Sequence, residues 1–173
     1  MTNFEIKDGT AIIPIGTTVI PKRAFYDCQE LKRVVIPEGV ELIGIFAFYG
    51  CSALEEVVIP ASVVQIVGWA FTLCPALNRI VVVEGNTVYD SREDCNAIIE
   101  TESNTLLYGC QTSTIPSGVE CIGEYAFQHC KALRDIAIPE SVKRIEAFAF
   151  EGCTALQVTI PDTVEEVDEE AFG

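Results

Sequence analysis

The chain has 173 residues, 49% of them apolar, which is enough for one domain with a sizeable core and argues against disorder. Its formal net charge of −15 repels phosphate backbones and anionic headgroups, which excludes nucleic acid and anionic membrane surfaces as partners. No apolar run approaches membrane-spanning length, which excludes membrane insertion through a helix.

The opening residues Met1-Thr2-Asn3-Phe4-Glu5 hold neither a basic nor an apolar stretch, so no secretory signal is read there. Phe4-Glu5-Ile6-Lys7 and Ala11-Ile12-Ile13 flank Asp8-Gly9, a hairpin turn signal. A hairpin over about 4–13 is therefore expected to cover the N-terminal end of the core.

From there the chain repeats. Pro14, Pro37 and Pro60 each follow an isoleucine at 23-residue intervals, and Pro116 and Pro139 do so again. Pro161 arrives one residue early. Ala-Phe recurs at a fixed offset, from Ala24-Phe25 to Ala171-Phe172. Cys28, Cys51, Cys74, Cys130 and Cys153 follow the phenylalanines, and Leu31, Leu54, Leu77, Leu133 and Leu156 follow the cysteines. Within a unit, Leu31-Lys32-Arg33-Val34-Val35-Ile36 alternates and is rich in β-branched residues, which predicts a strand. Pro37 cannot donate to a ladder and ends it. Val40 and Ile43 then point inward, and Ile45-Phe46-Ala47-Phe48 is expected to form a short helical or 3₁₀ turn. No unit can bury these side chains alone, so the units must stack, with the strands in one parallel sheet.

Val83 stands where a proline is expected, and Ile115-Pro116 comes only 33 residues later. The extended unit, about 84–115, carries two strand-like segments, 96–100 and 105–109, around Thr101-Glu102-Ser103-Asn104. A hairpin projecting from the solenoid or lying against it is expected there. The acidic run Glu165 to Glu170 reads as a solvated C-terminal cap. The period resumes on both sides of the long unit, so residues 1–173 form a single domain.

The pattern Leu-x-x-Val-x-Ile-Pro, Val-x-x-Ile-Gly, Ala-Phe-x-x-Cys, as in Leu31 to Cys51, resembles the BspA-like leucine-rich-repeat family over nearly the whole chain. The long unit is similar to one these proteins often carry. The resemblance implies an α/β leucine-rich-repeat solenoid. This is a right-handed horseshoe with a concave parallel sheet, and with short helical or 3₁₀ turns and β segments outside. It also implies a bacterial cell-surface or secreted protein acting in adhesion and protein binding, with a host or matrix protein or a glycan as partner. The unsignalled start leaves a cytoplasmic scaffold as the alternative.

The five repeat cysteines form an inward column of buried thiols, each a weak donor to turn backbone. A column offers ligands in a line rather than around a point, so no metal or other cofactor is expected. Cys121 falls at a position held elsewhere by Leu42, Gln65, Arg144 and Glu166, and is expected to be partly exposed. Cys95 and Cys110 face each other if the hairpin turns at Glu102-Ser103, and a slip of one residue separates them. His129 is the only histidine and lies at an ordinary exposed turn position, and no phosphate-cradling glycine loop occurs. The chain is not expected to be an enzyme.

Binding is expected on the outward side of the strands. Arg33, Glu56, Arg79 and Asp135 form a column of alternating charge, beside an apolar stripe of Val35, Val58 and Val81. The alternative is an aromatic flank of Phe46, Trp69, Tyr125 and Phe148, the residues preceding each Ala-Phe.

Overall fold

The computed structural model describes residues 4–173. Residues 1–3, part of the start read for a leader, lie outside the described residues. The first part of the chain holds β1 (Glu5–Lys7), β2 (Thr10–Ile12), β3 (Val19–Ile20), β4 (Arg33–Val35), β5 (Leu42–Ile43), β6 (Glu56–Ile59), β7 (Gln65–Ile66) and β8 (Arg79–Val82). The long unit holds β9 (Tyr89–Asp90), β10 (Ile98–Glu100) and β11 (Thr105–Tyr108). The last units hold β12 (Cys121–Ile122), β13 (Arg144–Ile145) and β14 (Glu166–Val167).

Each early coil supplies two strands to two different walls. The Leu-x-x-Val-x-Ile segments form β4, β6 and β8, which join the hairpin in a five-stranded sheet ordered β1-β2-β4-β6-β8. Asp8 and Gly9 take φ of 50° and 77°, the two positive angles of a tight hairpin turn. They return β2 antiparallel to β1, and β2 then pairs in parallel with β4. The Val-x-x-Ile segments form the second wall, β3-β5-β7, tied coil to coil by bonds such as Gly44 N–H to the Ile20 carbonyl at 2.8 Å.

The single parallel sheet expected from the period is replaced by three sheets. In the long unit the extra residues let the chain fold back, so β9, β10 and β11 pair antiparallel. β11 then pairs in parallel with β12, and the whole forms the sheet β14-β13-β12-β11-β10-β9. The hairpin is thus built into the second wall. The first wall stops at β8 and is reduced further on to one isolated bridge, Asp135 to Gln157.

The helical turns expected at residues 45–48 are not formed. Ala47 N–H bonds the Gly44 carbonyl and Cys51 N–H bonds the Phe48 carbonyl, closing two successive β-turns. Their third residues, Phe46 and Gly50, have φ of 57° and 72°, which stops a right-handed helix from propagating. Among the described residues, helix is confined to the 3₁₀ stretch Arg92–Asp94.

The core is a phenylalanine stack in two parts. Phe4, Phe25, Phe48 and Phe71 stack at 5.1–5.5 Å between centroids, and Tyr108 meets Phe71 edge-on. Phe127, Phe150 and Phe172 form the second part. Gly109 separates them. It makes the ladder bond that phenylalanine makes elsewhere, N–H to the Ala126 carbonyl, but carries no ring. The Phe127 ring fills that space, and a Cβ on Gly109 would lie 2.1 Å from it. The coil edge left by the interruption is closed by tyrosine hydroxyls, Tyr108 accepting from Ala70 N–H and Tyr89 from Ile66 N–H.

The cysteine column lies against the same stack. Cys51, Cys74 and Cys153 donate to the carbonyls of Phe25, Phe48 and Phe127, each one coil back, at 3.0–3.2 Å. All eight cysteines are free thiols. Cys95 and Cys110 are both buried but do not pair, because a register shift between Ile98 and Ile99 supplies the one-residue slip. Cys121 is buried, not partly exposed, since it sits in β12 between β11 and β13. Burial pushes Cys51 up to about 12 and Cys95, Cys121 and Cys153 to about 11, from an ordinary 9.0.

Two outcomes follow from this core. Gly109→Ala should destabilise by about 1–3 kcal/mol through overpacking. Denaturant melts of Gly109→Ala, Phe127→Ala and the double variant should show a double loss smaller than the sum of the singles; strict additivity would mean the two groups do not share that space. The raised thiol values set the alkaline limit. The folded state keeps protons that unfolded thiols release, so this stability is complete below about pH 9 and is lost as pH rises through the folded values near 11–12. The melting midpoint followed by circular dichroism should fall across that window, and a flat midpoint would contradict thiol burial.

Candidate functional site

Alternation along β4, β6 and β8 turns Val34, Val57, Ile59, Ile80 and Val82 into the core and their neighbours outward. Arg33 and Arg79 are exposed and Glu56 is half-buried. Val35 is 57% exposed, and Val58 and Val81 are half-buried directly opposite one another. Ile12 of β2, opposite Val35 and 53% exposed, extends the apolar stripe by one strand. Sequence reasoning missed it, although it lies one period before Val35. Arg79 pairs with Glu56 across the sheet, whereas Arg33 makes no ion pair among the described residues.

Two clefts open on this face. One, of about 410 Å³, is bounded by Thr10, Arg33, Val35, Glu56 and Val58. The next, of about 430 Å³, runs along Arg79 and Val81 to Ser91, Asp94, Asn96 and Thr112 of the long unit. Its far side is built from the edge of β8. Ile80 N–H donates to Asn96 Oδ1 at 2.6 Å and Val82 N–H to Ser91 Oγ at 2.9 Å. Asn96 also donates to the Asn78 carbonyl and Ser91 to the Ala97 carbonyl, so side chains replace the missing strand. No periodic signal marks these residues, because they lie in the aperiodic unit. Asp135 is exposed but bridges only Gln157, outside the five-stranded sheet, and so does not continue the charge column.

The aromatic flank forms from the turns. Phe46, Trp69, Tyr125 and Phe148 all have φ of 57–59°, which aligns them coil on coil. Phe46 stacks on Trp69 at 5.3 Å and Tyr125 on Phe148 at 5.0 Å. Trp69 and Tyr125 meet edge-on at 6.1 Å across the long unit, beside a cleft of about 400 Å³. Tyr26 and Tyr49 join the flank as a stacked pair. They were legible as the residues that follow Phe25 and Phe48. His129, expected to be exposed, is half-buried against Gly152. Among the described residues no cluster of three or more His, Cys, Asp or Glu groups fits a metal, and no helix is long and apolar enough to cross a membrane.

The model of the BspA type leucine rich repeat region matches residues 9–101 and 98–173, with six copies. The chain belongs to the BspA-type leucine-rich-repeat family. No curated protein matches it. Among solved structures, this BspA-type chain shares its fold with the pneumococcal vaccine antigen PcpA, at 24% identity and a TM-score of 0.80. That alignment covers 90% of this chain and 40% of PcpA. A leucine rich cell surface protein from Faecalibacterium prausnitzii A2-165 is 27% identical with a TM-score of 0.75, over 94% of this chain and 50% of that one. The T. pallidum leucine rich repeat protein is 26% identical with a TM-score of 0.57, over 91% and 72%. The chain thus spans half or less of the first two proteins.

The two kinds of contact on the sheet face separate by mutation. Arg79 reaches Glu56 from the solvent side, so Arg79→Ala should cost only about 0.2–1 kcal/mol. Asn96→Ala strips the partner from a part-buried N–H and should cost about 1–3 kcal/mol. Urea melts giving the reverse order would show that the cross-strand ion pair, not the side-chain edge cap, holds this face.

Proposed function

We propose that this BspA-type module is a non-catalytic binding domain of a bacterial surface or secreted protein, with the outward face of β2, β4, β6 and β8 as its contact surface. The observation that carries this reading is the merging of one apolar stripe with two neighbouring clefts on a single sheet face. Val35 and Val58 border one cleft and Val81 the other, with Arg33, Glu56 and Arg79 beside them. In a right-handed horseshoe this face is the concave one. Each strand is pinned by its neighbours, so little ordering entropy is lost on binding. A protein segment or glycan laid across the strands meets the stripe for affinity and the charges for orientation. Arg79 is already paired with Glu56, whereas Arg33 borders its cleft without an ion pair among the described residues, so a partner carboxylate would meet Arg33.

The test is a matrix-protein and glycan array probed with the wild-type chain, Val58→Glu and Trp69→Ala. Val58→Glu places a charge mid-stripe without touching the core, so its melt should be unchanged and its binding lost. Binding kept by Val58→Glu and lost by a folded Trp69→Ala would place the contact on the flank instead.

A further inference from the structure

The flank cleft has a chemistry of its own, independent of the sheet face. It opens where the aromatic column changes from stacked to edge-on, between Trp69 and Tyr125. Phe46 and Phe148 extend its aromatic lining on either side. The polar lining is Thr72, Gln128 and Glu151, with the hydroxyl-bearing rings of Tyr49 and Tyr125. Gln128 donates its amide N–H to the Glu151 carboxylate, which accepts only, so its Oε1 faces the other way. That oxygen is buried and has no partner. Thr72 is 4% exposed and its Oγ1 has no partner either. Buried polar atoms normally find partners, so the wall of the cleft is short of hydrogen bonds at these two side chains.

The charged group lining the cleft is the Glu151 carboxylate, which can only accept. The potential is negative. Burial first, then the carboxylates Glu124, Glu151 and Glu170, raise the Tyr125 hydroxyl above its ordinary 10.0. The ligand that fits is planar, cationic and donor-only, which describes a guanidinium. The chain itself supplies a precedent one step along the same column. Arg23 occupies the repeat position equivalent to Phe46 and Trp69, and its guanidinium lies 5.1 Å from the Tyr26 ring centroid and 5.6 Å from that of Phe46.

We propose that the cleft between Trp69 and Tyr125 binds an arginine side chain presented by a basic segment of a partner protein. The guanidinium stacks on the rings and donates to the Glu151 carboxylate.

The molecule carries its own reporter, because Trp69 is the only tryptophan. The probe is a blocked Gly-Arg-Gly peptide titrated at near-physiological salt, with Gly-citrulline-Gly and Gly-Lys-Gly as comparisons. The arginine peptide should give a saturable change in Trp69 fluorescence. Lysine should bind more weakly, and neutral citrulline, of the same shape, should give none. Glu151→Gln keeps the side-chain shape and removes the charge; with an unchanged melt it should bind about tenfold more weakly. Glu102→Gln, in the exposed hairpin turn, should leave binding unaltered and exclude a general charge effect. No saturable change with arginine, or an equal response to citrulline, overturns the proposal. A saturable response to methyl glycosides in place of the arginine peptide would make the cleft a sugar site and overturn it as well.

Discussion

A 23-residue coil cannot bury its own phenylalanine. The ring needs a neighbouring coil above it and one below, as Phe48 has those of Phe25 and Phe71, with rings at 5.1 Å. Much else follows from that requirement. The turns beside each ring take positive φ at bulky residues, a conformation with a cost of roughly 1–2 kcal/mol per residue. The cost is offset by coil-to-coil bonds such as Phe25 N–H to the Ala47 carbonyl at 2.7 Å. Cysteine recurs beside the ring because it is small, apolar and still able to donate to the carbonyl one coil back. A strict period is the condition for all these contacts at once.

The long unit is where that condition is suspended, and the structure closes the gap with side chains. Tyr89 and Tyr108 hydroxyls take N–H groups from the preceding coil, and Ser91 and Asn96 take those at the β8 edge. An uncovered strand edge would invite pairing with another chain, and these residues blunt it. The same interruption shapes both candidate binding sites. On the sheet face it supplies the polar wall of one cleft, and on the flank it sets Tyr125 edge-on to Trp69.

Charge is distributed to match. The chain has 26 acidic and 11 basic residues, so each arginine that faces outward on a candidate surface changes the local field. Arg33 and Arg79 lie on the sheet, and Arg23 lies at the end of the flank column. The flank cleft beyond it keeps the acidic character of the chain. The two candidate surfaces therefore differ in charge pattern, alternating on the sheet and acidic in the flank cleft.

Period and residue type by themselves determined the stacking, the inward set of Leu31, Val34 and Ile36, the cysteine column, and the outward positions of Arg33 and Val35. These are legible because a repeat imposes the same environment on every equivalent residue, so six copies state one fact. The period also contained Ile12 and Tyr49, which needed only to be counted. Tertiary structure alone decided the rest. The turn at Phe46 is left-handed because ladder bonds to the neighbouring coil outweigh its local preference, and a neighbour is not visible in a local pattern. Cys121 is buried by the strands on either side of it, and one of those, β11, belongs to the aperiodic unit. Asp135 leaves the charge column because the first wall ends at β8, and the slip that separates Cys95 from Cys110 is a shift of one residue. A periodic reading is reliable while each coil resembles the last, and it is silent at the coil that differs, which is where both clefts are made.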